Sequence, residues 1–364
     1  MKKLTRVVDM GGVKIGGGHP VVVQSMCNTD TRDVAKTVSQ ITELSQAGCE
    51  VIRVAVADQA AAQAIAQIKP QIDIPLVADI HYDYRLALMS VAAGCDGLRL
   101  NPGNIGAVYK VREVVRACQD HGIPIRIGVN AGSLDKSIAE KFGGAKAKAL
   151  VESALSHVNI LESMNFNHLK ISLKASSVEL TVEAYRLISE LVDYPLHIGV
   201  TEAGTMERGL IKSGVGLGIL LAEGIGDTIR VSLTAPPVDE VWAAYEILRA
   251  VGLRRHGAEL ISCPTCGRCE IDLIKTAREV DGHLRHISAP IKVAVMGCVV
   301  NGPGEAREAD VGVAGGKGSG LLFRKGEIVR KVPEGQLTGV LLDEINALLK
   351  QKGIADPSAD KEEA

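Results

Sequence analysis

Aromatic side chains and net charge are both scarce in this sequence. Aromatic residues make up 3% of the 364 residues, with one tryptophan. Proteins that bind single-stranded nucleic acid stack the bases on aromatic rings, so this scarcity argues against that function. The 41 Lys and Arg residues nearly balance the 43 Asp and Glu residues, which leaves a net charge of −2. The chain therefore has no broad basic surface for nucleic acid or for an acidic membrane.

Long apolar runs are also missing. The basic start MKKLTRVVDMGG has no apolar stretch behind it, unlike a signal peptide. No segment approaches the roughly 18 apolar residues that cross a membrane. We therefore expect a cytoplasmic protein without a membrane partner.

The cysteines fall into two groups. The chain has eight, and structural disulfides are uncommon in a cytosolic protein. Four lie singly in apolar segments and are expected to be buried: Cys27, Cys49, Cys95 and Cys118. The other four lie between residues 263 and 298, where we expect chemistry.

Eight short β-branched runs, separated by segments with helical periodicity, occupy the first two-thirds of the chain. They are Val21–Met26, Glu50–Val56, Pro75–Ile80, Gly97–Pro102, Ile125–Asn130, His168–Leu173, Pro195–Val200 and Thr228–Leu233. Such units predict parallel strands with crossover helices, and eight strands close a barrel. The alternative, an open doubly wound sheet, would carry a G-x-G-x-x-G loop after the first strand, which is not found there.

The pattern changes after residue 257. A cysteine cluster, a helix near 271–280, a strand at 291–295 and a hairpin over 321–329 indicate a smaller α+β module. The predicted class is α/β, with an N-terminal TIM (β/α)8 barrel over 1–257 and an α+β domain over 258–350. The polar segment 351–364 is predicted to be a disordered tail.

Basic residues occur inside the predicted strands, where an unpaired charge is costly. Four strands carry an arginine and the sixth carries two lysines: Arg53, Arg99, Arg126, Arg230, Lys170 and Lys174. The two-residue period aligns several with a polar residue, such as Arg126 with Asn130 and Arg230 with Ser232. Cations that converge at the barrel mouth would bind a ligand with more than one phosphate. The alternative is that they pair with Asp79, Glu202 and Asp227.

Two histidines lie at strand ends. His81 shares its strand phase with Asp79, which indicates a joint polar role. His197 has no such partner in its strand and is as compatible with a structural role.

The cysteine cluster contains two overlapping C-x-x-C steps, formed by Cys263, Cys266 and Cys269, and a distant Cys298. Three thiolates would hold an iron–sulfur cluster and leave one iron open. Structural zinc, with four ligands drawn from these cysteines or from His283 and His286, is an alternative, and so is a redox disulfide. A turn at Gly302–Gly304 favours the cluster, because it can direct Glu305 towards Cys298 as a fourth ligand.

These motifs resemble one family. Cys-Pro-Thr-Cys and Met-Gly-Cys-Val-Val-Asn-Gly-Pro-Gly-Glu, with Val-Gln-Ser-Met, Ala-Asp-Ile-His, Arg-Leu-Asn-Pro-Gly-Asn, Arg-Ile-Gly-Val-Asn and Val-Thr-Glu-Ala-Gly, are similar to the bacterial 4-hydroxy-3-methylbut-2-enyl diphosphate synthases of the non-mevalonate isoprenoid pathway. The resemblance covers nearly the whole chain. It implies a TIM barrel followed by a 4Fe–4S domain.

The resemblance also implies a reaction and partners. The substrate would be 2-C-methyl-D-erythritol 2,4-cyclodiphosphate, opened and dehydrated to 4-hydroxy-3-methylbut-2-enyl diphosphate. Flavodoxin or ferredoxin would deliver two electrons one at a time. In a homodimer, the cluster domain of one protomer would cap the barrel of the other.

Residue roles follow by the same resemblance. The cluster would be held by Cys263, Cys266 and Cys298, with Glu305 as the fourth ligand at rest. Asp79, His81 and Glu202 would be the polar and acid–base groups near the reacting carbons. The diphosphate would be bound by Arg53, Arg99, Arg126, Lys174 and Arg230, with Asn130 and Ser232 as polar contacts. Lys170 lies deeper in its strand, and Cys269, which the family does not require, is expected to be a bystander thiol.

Two other functions remain open at this point. One is a non-redox phosphosugar enzyme with a barrel and a structural zinc ribbon. The other is a binding module whose cysteine domain contacts a protein or a nucleic acid.

Overall fold

The computed structural model describes residues 3–134, 136–298, 304 and 306–353. The chain divides into two compact units between Arg254 and Arg255. The predicted tail 351–364 lies outside the described residues apart from 351–353, of which Gln351 ends the last helix. No helix in the described part of the chain is long and apolar enough to span a membrane.

The first unit is an eight-stranded parallel barrel preceded by a short hairpin. Its strands are β1 Val8–Met10, β2 Val13–Ile15, β3 Val22–Met26, β4 Val51–Ala55, β5 Leu76–Asp79, β6 Gly97–Leu100, β7 Ile125–Asn130, β8 Leu169–Lys174, β9 His197–Ile198 and β10 Thr228–Ile229. Its helices are α1 Val34–Gln46, α2 Gln59–Ile68, α3 Tyr84–Ala92, α4 Pro102–Ile105, α5 Val108–His121, α6 Lys136–Phe142, α7 Ala147–Glu162, α8 Val178–Leu191, α9 Met206–Ala222 and α10 Pro237–Ala250.

Local sequence signals set the ends of these helices. Asp33, Asp58 and Asp83 each cap a helix by accepting a hydrogen bond from a backbone N–H in its first turn. Gly122 follows α5 with a φ of 66°, a left-handed conformation that glycine adopts without strain.

The barrel strands lie in the order β8-β7-β6-β5-β4-β3-β10-β9, and all neighbours are parallel. A bridge between Ile171 and Leu196 joins the two ends of this order. The predicted TIM barrel is therefore confirmed, with all eight strands in their predicted places. The last two are shorter than predicted, with two residues each in regular pairing.

The hairpin β1–β2 was not predicted from the sequence. Met10 and Ile15 are fully buried and pack with Val22, Val51 and Val77, which point into the barrel from three strands. The hairpin thus closes the amino-terminal end of the barrel. The sequence feature that indicates this hairpin is the pair Gly11-Gly12. Both glycines have positive φ, as tight hairpin turns require.

The second unit contains a five-stranded mixed sheet, with helices packed against it. Its elements are β11 Glu259–Ser262, α11 Leu273–Leu284, β12 Lys292–Met296, β13 Val311–Gly316, β14 Ser319–Arg324, β15 Glu327–Pro333 and α12 Leu337–Gln351. Strands β11, β12 and β13 are parallel, and β14 and β15 continue the sheet in antiparallel fashion. Buried residues of α11 and α12, such as Val280 and Leu341, share one core with the sheet. The predicted helix, strand and hairpin are all present.

Tyr185 of α8 connects the two strands at which the barrel closes. Its hydroxyl donates to the carbonyl oxygen of His197 at 2.5 Å and accepts from the Leu173 N–H at 3.0 Å. Tyr185→Phe should lower the free energy of unfolding by about 1–3 kcal/mol, since two buried backbone groups lose their partner. Urea denaturation followed by circular dichroism measures this change. Tyr109→Phe is the control, because Tyr109 is 56% exposed; equal stability of the two variants would contradict this role of Tyr185.

Candidate active site

Side chains from most of the barrel strands converge on one cavity of about 140 Å³ at the carboxyl ends of the strands, which is room for a small molecule. Alternation along the strands brings them there. On β7, for example, Arg126, Gly128 and Asn130 face the interior, whereas Ile125 and Ile127 pack towards the helices. The cavity is lined by Arg53, Asp79, His81, Arg99, Arg126, Asn130, Ser172, Lys174, Thr201 and Arg230.

Asp79 is the carboxylate at the centre of this lining. Its oxygens lie 3.1 Å from Arg99 Nη1, 3.7 Å from Arg53 Nε and 3.7 Å from His81 Nε2. Burial alone would raise the pKa of Asp79, but the charges of the nearby arginines hold that pKa below its ordinary value. Asp79 is therefore ionised at neutral pH and orients two guanidinium groups.

Glu240, on α10, is a second carboxylate, which sequence analysis missed. Its carboxylate lies 3.4 Å from Arg230 Nη2 and accepts a hydrogen bond from the Leu233 N–H at 2.9 Å. Burial raises the pKa of Glu240, although Arg230 opposes this change. No motif marks this residue in the sequence, because it belongs to a helix whose acidic first turn is typical of ordinary helices.

The cations that line the cavity outnumber the carboxylates that contact them. Arg126 is 1% exposed, and its Nε and Nη1 atoms have no hydrogen-bond partner in the described part of the chain. Burial, together with Arg53 and Arg99, lowers the pKa of Arg126 well below its ordinary value. Burial and the neighbouring Arg126 and Arg230 do the same for the pKa of Lys174. Such a surplus of buried positive charge is suited to a polyanionic ligand.

Among the three candidate carboxylates, Asp79 pairs with cations of the cavity. Asp227 accepts a hydrogen bond from the Leu196 N–H at 3.0 Å and does not line the cavity. Glu202 is exposed, also outside the lining, and has a φ of 52°. A left-handed conformation is uncommon for a residue other than glycine and is frequent at functional sites.

Most of the predicted substrate and acid–base residues come together in the lining. Ser232 and Glu202 do not: Ser232 is half-buried and Glu202 projects into solvent. Two further residues, Ser172 and Thr201, line the cavity. Ser172 could be found from its strand phase, which it shares with Lys174, and Thr201 directly precedes Glu202.

The cysteines of the second unit follow two adjacent parallel strands. Cys263 comes directly after β11, and Cys298 comes two residues after β12. The Gly297 N–H donates to Cys263 Sγ at 3.2 Å, and a Cβ on Gly297 would lie 2.7 Å from Cys269 Sγ. Cys266 is exposed. Half-exposed thiols on two neighbouring loops fit a metal group held by thiolates.

The described part of the chain contains no group of three Cys, His, Asp or Glu side chains placed to hold a metal ion. Glu305, the predicted fourth ligand, lies outside the described residues. Cys269 Sγ donates a hydrogen bond to the Ile271 carbonyl oxygen at 3.3 Å, as a protonated thiol would. His283, considered as a zinc ligand, instead lies 3.3 Å from the side-chain oxygen of Asn346. The four isolated cysteines of the barrel are buried, as predicted.

Comparison with known families decides the assignment of the chain. A family model described as the GcpE TIM-barrel domain matches residues 5–245, and a second, described as the GcpE protein C-terminal domain, matches residues 259–347. The chain belongs to the GcpE family.

Curated relatives of this GcpE chain are named 4-hydroxy-3-methylbut-2-en-1-yl diphosphate synthase (flavodoxin). The protein of Geobacter sulfurreducens is 61% identical over 352 residues, with 97% of this chain and 100% of the relative covered. The protein of Caldanaerobacter subterraneus subsp. tengcongensis is 58% identical, with coverages of 97% and 99%. The Geobacillus kaustophilus protein is 57% identical, with coverages of 95% and 93%.

A solved structure shares the barrel. Dihydropteroate synthase from Stenotrophomonas maltophilia superposes with a TM-score of 0.50 at 14% identity, over 68% of this chain and 98% of that structure. At this identity the match concerns the fold alone. The matches confirm the predicted resemblance to bacterial 4-hydroxy-3-methylbut-2-enyl diphosphate synthases and the prediction of an enzyme, and they give no support to a zinc-ribbon phosphosugar enzyme.

Arg126 illustrates the energetic cost of the cavity. Arg126→Met should raise the free energy of unfolding by about 1–4 kcal/mol, because a buried cation without a carboxylate partner is replaced by an apolar side chain of similar length. The same variant should bind diphosphate anions weakly. Arg99→Met is the matched control: it removes the nearer of the two arginines that contact buried Asp79 and should lower stability. Denaturant titration and calorimetric binding measure both effects, and a destabilised Arg126→Met protein would contradict this account.

Gly128 gives Arg99 the space to cross β7. A Cβ at this position would lie 2.6 Å from Arg99 Nε. We expect Gly128→Ala to displace Arg99 from Asp79 and to weaken anion binding at least tenfold, the effect of about 1.4 kcal/mol. Gly214→Ala serves as control, because a Cβ there meets nothing within 4 Å. Unchanged affinity of Gly128→Ala, measured by calorimetry, would show that Arg99 does not act through this geometry.

Proposed function

We propose that this chain reductively opens and dehydrates 2-C-methyl-D-erythritol 2,4-cyclodiphosphate to 4-hydroxy-3-methylbut-2-enyl diphosphate. The observation that carries this proposal is the convergence of five buried or half-buried cations around the lining carboxylate Asp79. Full-length identity of 57–61% to synthases of that product supports it.

The cations bind the two phosphates and stabilise the charge that develops on them. When the ring opens, one phosphate oxygen leaves a ring carbon and becomes a free anion. Arginine forks match phosphate oxygens, and Arg53, Arg99, Arg126 and Arg230 surround the cavity, with Lys174 as a compact charge beside them. Asn130 lines the same cavity and provides a neutral amide contact. Ser232 is not part of that lining, so it would contact the ligand only where the ligand extends beyond the cavity.

The reaction consumes two electrons and one proton and releases one water. His81 is placed to hold that proton, because its Nε2 lies 3.7 Å from the ionised Asp79 and its side chain faces the cavity. Glu202, which is exposed beside the lining residue Thr201, is the second acid–base group of the proposal. Asp79 stays ionised and fixes the two arginines and His81.

The electrons require a cofactor that the residues of the second unit can hold. A 4Fe–4S cluster would supply single electrons and an iron with an open position. In the proposal, Cys263, Cys266 and Cys298 provide its thiolates, Glu305 is the fourth ligand at rest, and Cys269 remains a thiol.

The partners and the assembly are part of the same proposal. Flavodoxin, which the names of the relatives carry, or ferredoxin would deliver the electrons. The protein would be a cytoplasmic homodimer in which the cluster domain of one protomer caps the barrel of another. The functional domains would be 1–257 and 258–350.

Anaerobic purification tests this function directly. The protein should be brown, should contain about four irons and matching sulfide per chain, and with dithionite should convert the cyclodiphosphate. Folded, active protein without iron would refute the proposal, as would stoichiometric zinc without sulfide.

Two cysteine variants separate the ligand assignments. Cys298→Ala should abolish the visible absorbance of the cluster and the turnover, because only two of the proposed thiolates remain. Cys269→Ser should keep both, because its hydrogen bond to Ile271 does not require a thiolate. Absorbance spectra, iron content and turnover of the two variants provide the measurement. If the effects are reversed, Cys269 is the ligand and Cys298 is not.

A further inference from the structure

The interior of the barrel below the cavity is polar, which is unusual. Barrel interiors are normally filled by branched apolar side chains. Here four strands that are consecutive around the barrel, β3, β10, β9 and β8, contribute interior residues Gln24, Thr228, His197 and Lys170. Each is at most 3% exposed. We call this set the polar arc.

Neighbouring residues establish that the polar arc faces the interior. On β8, Leu169, Ile171 and Leu173 belong to the core between strands and helices, so the alternate position Lys170 points inward. On β3, Val22 belongs to the cluster at the barrel floor, and Gln24 shares its phase. Below the arc, the hairpin β1–β2 excludes solvent, and Lys170 Nζ lies 3.8 Å from Met10 Sδ.

The charged groups that act on Lys170, among the residues described, are cations. It pairs in register with Arg126 on β7, and Arg53 acts on it from β4. Burial and these two charges lower the pKa of Lys170 well below its ordinary value. On the neighbouring β9, His197 faces Arg126, Lys174, Lys170 and Arg53, and burial with these charges lowers the pKa of His197 as well. Burial and the surrounding cations therefore disfavour a positive charge on either group while the cavity holds no anion.

Several polar atoms of the arc have no partner among the residues that the structure describes. These buried atoms are Gln24 Oε1, Gln24 Nε2 and His197 Nε2, whereas His197 Nδ1 lies 2.7 Å from Thr228 Oγ1. With the His197 proton on Nδ1, donated to Thr228, the Nε2 atom is an acceptor. On the outer side of β9, Tyr185 donates to the His197 carbonyl, and Asp227 accepts from the Leu196 N–H, so neither supplies the interior with a charge. The interior thus holds acceptors suited to an ammonium group, directly or through water.

We propose that Lys170 is an internal proton acceptor, which becomes an ammonium ion when a diphosphate anion occupies the cavity above it, with His197 and Gln24 as the acceptors of its hydrogen bonds. The inference rests on the anion site of the proposed function. The anion neutralises Arg126 and its neighbours, and the interior can then accept one further positive charge. By linkage, a proton on Lys170 strengthens anion binding to the same extent that the anion strengthens proton binding. Affinity should therefore rise as the pH falls through the pKa of Lys170 in the anion-bound protein, and it should level off below the lower pKa of Lys170 in the anion-free protein.

Calorimetric titration of the full-length protein with inorganic diphosphate tests this inference. Titrations at one pH in two buffers that differ in ionisation enthalpy give the number of protons taken up. We expect Lys170→Met to take up about one proton fewer per diphosphate than the unaltered protein, because only one titrating group is lost. Subtracting the proton uptake of the variant from that of the unaltered protein removes the protons exchanged by the diphosphate itself and by Lys174, because both titrations contain these contributions. Lys212→Met, at an exposed position on α9, should match the unaltered protein.

Further variants separate the outcomes. Lys170→Gln keeps a hydrogen-bonding side chain and should show the same deficit if Lys170→Met fails to fold. His197→Phe should take up fewer protons, because the ammonium loses an acceptor. Equal uptake in the Lys170 variants and the unaltered protein overturns the inference, as does failure of the unaltered protein to bind diphosphate. Normal uptake without turnover of the cyclodiphosphate would overturn only the proposed reaction.

Discussion

The structure depends on a local excess of positive charge inside a closed parallel barrel. Arginines and lysines occupy interior positions on or directly after five of its strands, and burial lowers the pKa of Arg53, Arg126, Lys170 and Lys174. The fold tolerates them because Asp79 and Glu240 fix some guanidinium groups and because the remaining core, built from apolar side chains between strands and helices, is extensive. The energetic cost of unpaired buried charge therefore arises at the carboxyl end of the barrel strands, where the proposed ligand would bind.

Much of this arrangement follows from the sequence because it obeys simple periodicities. β-branched runs at regular intervals define the strands, and the two-residue period shows which cations share the interior. Arg126 and Asn130 were placed correctly by that rule alone. The cysteine motif is specific enough to indicate a metal site. Its spacing alone is compatible both with an iron–sulfur cluster and with structural zinc.

Other features could not be read from local patterns. Glu240 reaches Arg230 only because α10 packs back on the barrel, which is a tertiary relation. Ser232 follows the strand phase but lies beyond the last regular residue of β10, where that rule no longer fixes the direction of a side chain. The hairpin at the start of the chain was overlooked because its strands have three residues each, even though the paired glycines give a recognisable turn.

That hairpin has a consequence for how the chain acquires its structure. Residues within the first fifteen close the barrel floor, yet Met10 contacts Lys170, which lies 160 positions later. The hairpin can pack early against Val22, Val51 and Val77, but its contact with Lys170 requires a strand that is synthesised much later. Contacts of such long sequence separation slow folding, because a large loop must close first. We therefore expect the barrel floor to be completed late in folding, with the interior open to water until then.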